Sequence, residues 1–222
     1  MIYIENILLC LVIPLGISLI FLKGKVRRFL ISFMCGMVAC LFSAYIAGFI
    51  QNASGLAQEE VSVFLSPIIE EILKFLPVLF YFYLFEPRDD DLMLMAIGIG
   101  VGFATFENSS YILASGAYSI NYILIRGAAV GVMHLTSMVV FAAGINYFKK
   151  YGGFSFAGIT GALTLAMSVH ALYNLLVSTK NAVSYIGYCL PLVIVVWLYF
   201  NFANSKGIFL KSDYVNKGDD HI

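Results

Sequence analysis

Apolar residues run through this chain in long blocks separated by short polar islands. The blocks fall at about 2–22, 29–50, 61–85, 92–114, 120–148, 154–178 and 182–203. Each approaches the roughly 20 mainly apolar residues that a helix needs to cross a bilayer. The pattern therefore predicts an all-α, polytopic transmembrane helix bundle of about seven spans. The first block sits where a signal peptide would. It has no basic residues ahead of it, and its basic cluster, KGKVRR, follows it, so it is read as a retained span.

The polar islands set the orientation. Lys23, Lys25, Arg27 and Arg28, then Arg88, then Lys149 and Lys150, then Lys206, Lys211 and Lys217 all fall on one side of a seven-span chain. The other side holds Lys180, with Arg126 near a span end. Short cytoplasmic loops carry the excess of Lys and Arg, which places the N-terminus outside and the C-terminus in the cytoplasm. Residues 1–205 read as a single transmembrane domain, and 206–222 as a polar, mobile cytoplasmic tail that takes His221 out of consideration. EPRDDD, at 86–91, reads as a solvated cytoplasmic loop.

Composition fixes the class. Of 222 residues 61% are hydrophobic and 12% charged, against about 25% charged in soluble domains. The cell membrane is the expected location and the lipid bilayer the surroundings. The net charge of zero gives no basic field for nucleic acid. Cys10, Cys35, Cys40 and Cys189 lie in apolar stretches with no CxxC pair, and are expected to pack as small hydrophobes. Gly98 with Gly102, and Gly127 with Gly131, form GxxxG pairs that predict close helix packing.

The exceptions to the apolar pattern carry the chemistry. SPIIEEILKFLPVLFYF, from Ser66 to Phe82, holds Glu70, Glu71 and Lys74. The next three blocks hold Glu107, then Arg126 and His134, then His170. Acidic and basic side chains at a helix centre cost roughly 2.5–3.5 kcal/mol each on the insertion scale, so the set must face the bundle interior or a wet cavity. At 1.5 Å per residue, Glu70, Glu107 and His170 lie ~10–14 Å from the outer ends of their spans, and His134 ~20 Å. One polar pocket in the outer-to-middle zone explains four such placements on four helices. Arg126, near the outer interface, is expected to snorkel away from it.

Spacing supplies companions. Lys74 stands i+4 from Glu70 and i+3 from Glu71, so it can pair with either carboxylate. His134 and Ser137 share a face, as do His170 and Asn174. Pro67 should loosen the backbone just before Glu70. A carboxylate beside other carboxylates can serve as a general base, and a His with an Asn can stabilise an oxyanion. That is the equipment for amide hydrolysis. Glu107, His134 and His170 also make a two-histidine, one-carboxylate zinc set, with Glu70 or Glu71 left as base. There is no HExxH, no Asp within a span and no intramembrane GxSG. Buried Glu, Lys and His equally describe a proton-coupled membrane transporter, although seven spans give no two-fold repeat.

EEILK matches an EExxK motif at Glu70, Glu71 and Lys74, and FATFEN matches FxxxEN at Phe103, Glu107 and Asn108. His134 and His170 follow on the next two spans. This ordered set, over about 61–178, resembles the PrsW family of intramembrane proteases, kin to type II CAAX prenyl endopeptidases and bacteriocin-immunity proteases. The resemblance implies an intramembrane endopeptidase that cuts a membrane-anchored protein, an anti-sigma factor, on its extracytoplasmic side. His170 with Asn174 matches the relatives' HxxxN oxyanion element. Lys74 and Glu107 depart from the relatives' EExxxR and FxxxH, so the role of that His does not transfer. PrsW proteins have been called metalloproteases and the CAAX relatives resemble metal-free glutamate proteases. The expectation is a glutamate mechanism without a cofactor. In it Glu70 or Glu71 activates water with help from Glu107. His134, His170 and Asn174 stabilise the intermediate, and Lys74 holds the carboxylates. Zn is the alternative.

Overall fold

Each apolar block forms a helix. The computed structural model describes residues 4–115, 119–150, 156–179 and 181–204. Lys180, the GGFS segment at 152–155 and the 206–222 tail with its lysines and His221 lie outside them. The helices are α1 (Ile4–Ser18), α2 (Gly24–Ser54), α3 (Gln58–Glu60), α4 (Ser66–Phe85), α5 (Asp89–Ser115), α6 (Ile120–Lys150), α7 (Phe156–Ser178) and α8 (Ala182–Asn204). A π-turn, Val61–Leu65, joins α3 to α4 without a break. No strand occurs among the described residues.

The result is a helical membrane bundle. By length and composition α2, α5, α6 and α7 can each cross a bilayer. The run through α4 is as apolar but carries Glu70, Glu71 and Lys74, and α1, with 15 residues, is shorter. Large apolar side chains such as Ile13, Phe49, Phe80, Leu124 and Trp197 face outward, as they do where the surrounding solvent is lipid.

Small residues bring α2 and α5 together. A Cβ on Gly102 would lie 1.9 Å from the Phe33 carbonyl oxygen, and one on Gly36 would lie 2.1 Å from that of Ile99. Gly98 meets Ser32 in the same seam. The second GxxxG pair behaves differently from expectation. A Cβ on Gly127 or Gly131 would meet nothing within 4 Å. Among the described residues, therefore, the pair does not bring two helices of this chain together. The cysteines are all free. Cys40 is buried and Cys35 half-buried, while Cys10 and Cys189 face outward.

EPRDDD is a solvated loop only in its first half: residues 86–88 are non-helical, with Glu86 and Arg88 exposed. Asp89, Asp90 and Asp91 form the first turn of α5, where carboxylates meet the positive end of the helix dipole. Asp91 is buried and pairs with Arg28 at 3.1 Å and Arg88 at 3.3 Å, and Asp89 pairs with Lys149 at 3.2 Å. Three of the basic islands thus meet at one end of the bundle. Two larger apolar cores, and a smaller one around Val130, Met133 and Tyr173 between α6 and α7, fill the interior. One, around Phe75, Leu92, Met93, Ile99, Phe141 and Ile145, lies between α4, α5 and α6. The other, around Leu8, Met37, Cys40, Phe103 and Phe106, lies between α1, α2 and α5.

Candidate active site

The ionisable residues of four helices converge between these cores. α4 brings Glu70, Glu71 and Lys74. α5 brings Phe103 and Glu107, α6 brings Arg126, His134 and Ser137, and α7 brings His170 and Asn174. Gly100 permits the closeness of α5 and α6: a Cβ there would stand 2.8 Å from the His134 carbonyl oxygen.

Lys74 is the buried hub, at 0% exposure. Its ammonium donates to Glu71 Oε1 at 2.6 Å, His134 Nδ1 at 2.9 Å and Ser137 Oγ at 3.2 Å. Ser137 donates its own proton to the His134 carbonyl. Three N–H groups meet three acceptors, so the ammonium is fully used. The Phe103 ring lies 4.9 Å from the ammonium and 4.6 Å from the His134 ring, which seals this network from the apolar core.

The adjacent glutamates do different things. Glu71 is buried and accepts from both Lys74 and His170 Nδ1, the latter at 2.7 Å. Glu70 stays 17% exposed and stands 3.7 Å from His170 Nε2. Among the described residues its carboxylate accepts no hydrogen bond. About 100° of helix rotation separates the two, enough to put one inside the wall and the other on it.

Glu107 is held from the other side. His134 Nε2 donates to it at 2.5 Å and Arg126 Nη2 at 3.2 Å. The Arg126 guanidinium lies 3.5 Å from the Tyr111 ring centroid. Arg126 therefore turns inward and does not snorkel, because a carboxylate and an aromatic face are both within reach. Its spacing from His134, near two helical turns, is the sequence signal that places them on one side of α6.

A cavity of about 680 Å³ opens against this cluster. Glu70, Glu107, Arg126, His170, Asn174 and the Phe103 ring line it, while Glu71, Lys74 and His134 stand behind the wall. Asn108 is not on the wall, and its side-chain oxygen is buried without a partner. Ile4, Gln51, Gln58, Tyr122 and Ser178 also border the cavity. These are the helix ends remote from the Arg28–Asp91 cluster, so the cavity lies toward the opposite end of the bundle. The Asn174 amide nitrogen donates to the Ser62 carbonyl at 2.9 Å, which commits one of its two hydrogens away from any oxyanion.

A metal would have to use this same cluster. Donor atoms of Glu70, His134 and His170 lie within 4.8 Å of one another, so Glu70 takes the place expected for Glu107, which His134 and Arg126 already hold. The hydrogen bonds decide the rest. Glu71 accepts from His170 Nδ1, so in the neutral ring the lone pair is on Nε2. Lys74 can only donate, so His134 Nδ1 accepts and the ring proton sits on Nε2, facing Glu107. A three-ligand metal site on Glu70, His134 and His170 would therefore require His134 to give up its hydrogen bond to Lys74 or to Glu107.

The chain resembles known proteins over most of its length. The family described as "PrsW family intramembrane metalloprotease" matches residues 25–201. Protease PrsW of Oceanobacillus iheyensis is 26% identical over 195 residues, covering 82% of this chain and 86% of that protein. No solved structure matches. With its helical membrane bundle and intramembrane Glu, His and Lys cluster, the chain belongs to the PrsW family of intramembrane proteases and is a multi-pass membrane peptidase.

Proposed function

We propose that the protein hydrolyses a peptide bond of a membrane-anchored protein by a glutamate mechanism in which Glu70 is the base. The observation that carries this is the division between the two glutamates. Glu71 accepts from both Lys74 and His170 through Oε1, while Glu70 faces the cavity with no hydrogen bond among the described residues. Glu70 takes a proton from water, and the hydroxide oxygen bonds to the scissile carbonyl carbon. Arg126, on the cavity wall, donates to the oxyanion. Glu70 then returns the proton to the amine as the C–N bond breaks. His170 keeps a lone pair toward Glu70 and helps orient the water. Glu107, held by His134 and Arg126, keeps the guanidinium in place.

The bundle reads as seven spans with the N-terminus outside, the catalytic core at about 61–178 and the 206–222 tail in the cytoplasm. The cavity then opens on the extracytoplasmic side, opposite the basic islands. An anti-sigma factor anchored by a single helix and cut first on that side is the substrate class this supports. Family membership displaces the transporter reading.

A metal-dependent peptidase is the second reading, favoured by the convergence of Glu70, His134 and His170. One experiment addresses both. Purified protein in detergent or liposomes is assayed on a membrane-anchored substrate, with metal content measured and chelator added. The glutamate reading expects activity without stoichiometric zinc, unaffected by chelator, and lost in Glu70→Gln. Zinc at one per chain with loss of activity on chelation would overturn the mechanism but leave the peptidase.

A further inference from the structure

The π-turn ahead of α4 leaves one backbone carbonyl open. The Ser66 amide donates to the Val61 carbonyl, five residues back instead of four. The next residue, Pro67, has no amide hydrogen to continue this register. Its partner in the π register would be the Ser62 carbonyl, which is therefore left without a helical donor. That carbonyl is the one Asn174 reaches, 112 positions along the chain, at 2.9 Å. A side-chain amide on α7 stands where a backbone amide of α4 is missing.

The consequence falls on the catalytic wall. Ser62, Ser66 and Glu70 all line the cavity, four residues apart, so they share a face. Asn174 follows His170 by one turn of α7, and His170 Nδ1 donates to Glu71. The seam between α4 and α7 is thus pinned at two points, one on each side of Glu70. π-turns within α-helices occur frequently at functional sites, because the inserted residue changes which side chains share a face.

We propose that Asn174 is a positioning residue, not an oxyanion donor: its amide substitutes for the hydrogen that Pro67 lacks, closes the Ser62 carbonyl, and holds Glu70 at the cavity wall. The proposal rests on Glu70 acting as the base in peptide hydrolysis. It makes an unusual prediction, because the defect of an Asn174 variant should be repaired by returning the missing amide.

The test is a double-mutant cycle in the full-length protein, reconstituted with a membrane-anchored substrate. Asn174→Ala should lower kcat about tenfold, within the range of couplings between contacting groups, and lower the unfolding temperature. Pro67→Ala supplies an N–H that reaches Ser62 in the π register. If the segment reverts to a regular helix, the Ser66 amide reaches the same carbonyl. Either way Pro67→Ala combined with Asn174→Ala should regain most of the lost kcat and the lost unfolding temperature. If the double variant unfolds like the wild type but stays as inactive as Asn174→Ala, Asn174 acts on the substrate and the proposal is wrong. It is equally wrong if Pro67→Ala leaves the unfolding temperature of Asn174→Ala unrepaired. If the wild type cleaves nothing, the peptidase mechanism fails instead, and repair of the unfolding temperature alone decides the role of Asn174.

Discussion

Two neighbouring carboxylates stand in different surroundings, because only Glu71 is hydrogen-bonded among the described residues. Glu71 has an ammonium at 2.6 Å and an imidazole N–H at 2.7 Å, and it is buried. Removing one partner of such a pair strands the other charge, at a cost of about 3–5 kcal/mol. Glu71→Gln and Lys74→Met should each lower the unfolding temperature strongly. Their combination should cost clearly less than the sum, since no charge is stranded; strict additivity would count against the pair. Glu70 is different. Glu70→Gln removes no hydrogen bond found here, so its stability should stay within about 0.5 kcal/mol of wild type. Its kcat should fall by about 10²–10⁴, the usual contribution of general acid–base catalysis. A well-folded, fully active Glu70→Gln protein would remove the base from the mechanism.

Helix packing yields a prediction of opposite sign for one residue type. Gly102 stands against the backbone of α2, where a Cβ would lie 1.9 Å from an oxygen. Gly102→Ala must push α2 and α5 apart, and overpacking of this kind costs about 1–3 kcal/mol. Gly127 has open space beside it. There Ala only removes the helix penalty of glycine, so Gly127→Ala should be neutral or stabilise by about 0.5–1 kcal/mol. Thermal unfolding in one detergent compares the two directly. Equal effects would mean that the α2–α5 seam is looser than its geometry. α4 makes a related point. The turn ahead of Pro67 has π geometry, and a side chain from α7 bonds the Ser62 carbonyl there.

For the whole molecule, the basic islands and the cavity lie toward opposite ends. Arg28, Arg88 and Lys149 all engage Asp91 or Asp89 at one end, while Gln51, Gln58 and Tyr122 border the cavity toward the other. In a cysteine-free background, Gln58→Cys should react with a membrane-impermeant thiol reagent on intact cells, and Lys25→Cys should not. The reverse labelling would invert the topology and put the cleavage on the cytoplasmic side.

The sequence by itself determined the membrane class, the helices and the set of candidate residues, because apolar blocks and intramembrane charges are costs that local sequence cannot hide. Glu70, Glu71, Lys74, Glu107, His134 and His170 were all legible as charges or imidazoles without a lipid-compatible excuse. Their division of labour was not. Glu70 and Glu71 stand about 100° apart on a helical wheel, but which of them turns inward is undecided until other helices supply Lys74 with its remaining acceptors and Glu71 with an imidazole. The tautomer of His134, the inward turn of Arg126, the idle Gly127–Gly131 pair and the carbonyl behind Asn174 were likewise settled by contacts between residues tens of positions apart. Spacing along one helix fixes which face a residue occupies. What stands opposite that face, and therefore which carboxylate is left without a hydrogen bond at the cavity, is a property of the packed bundle alone.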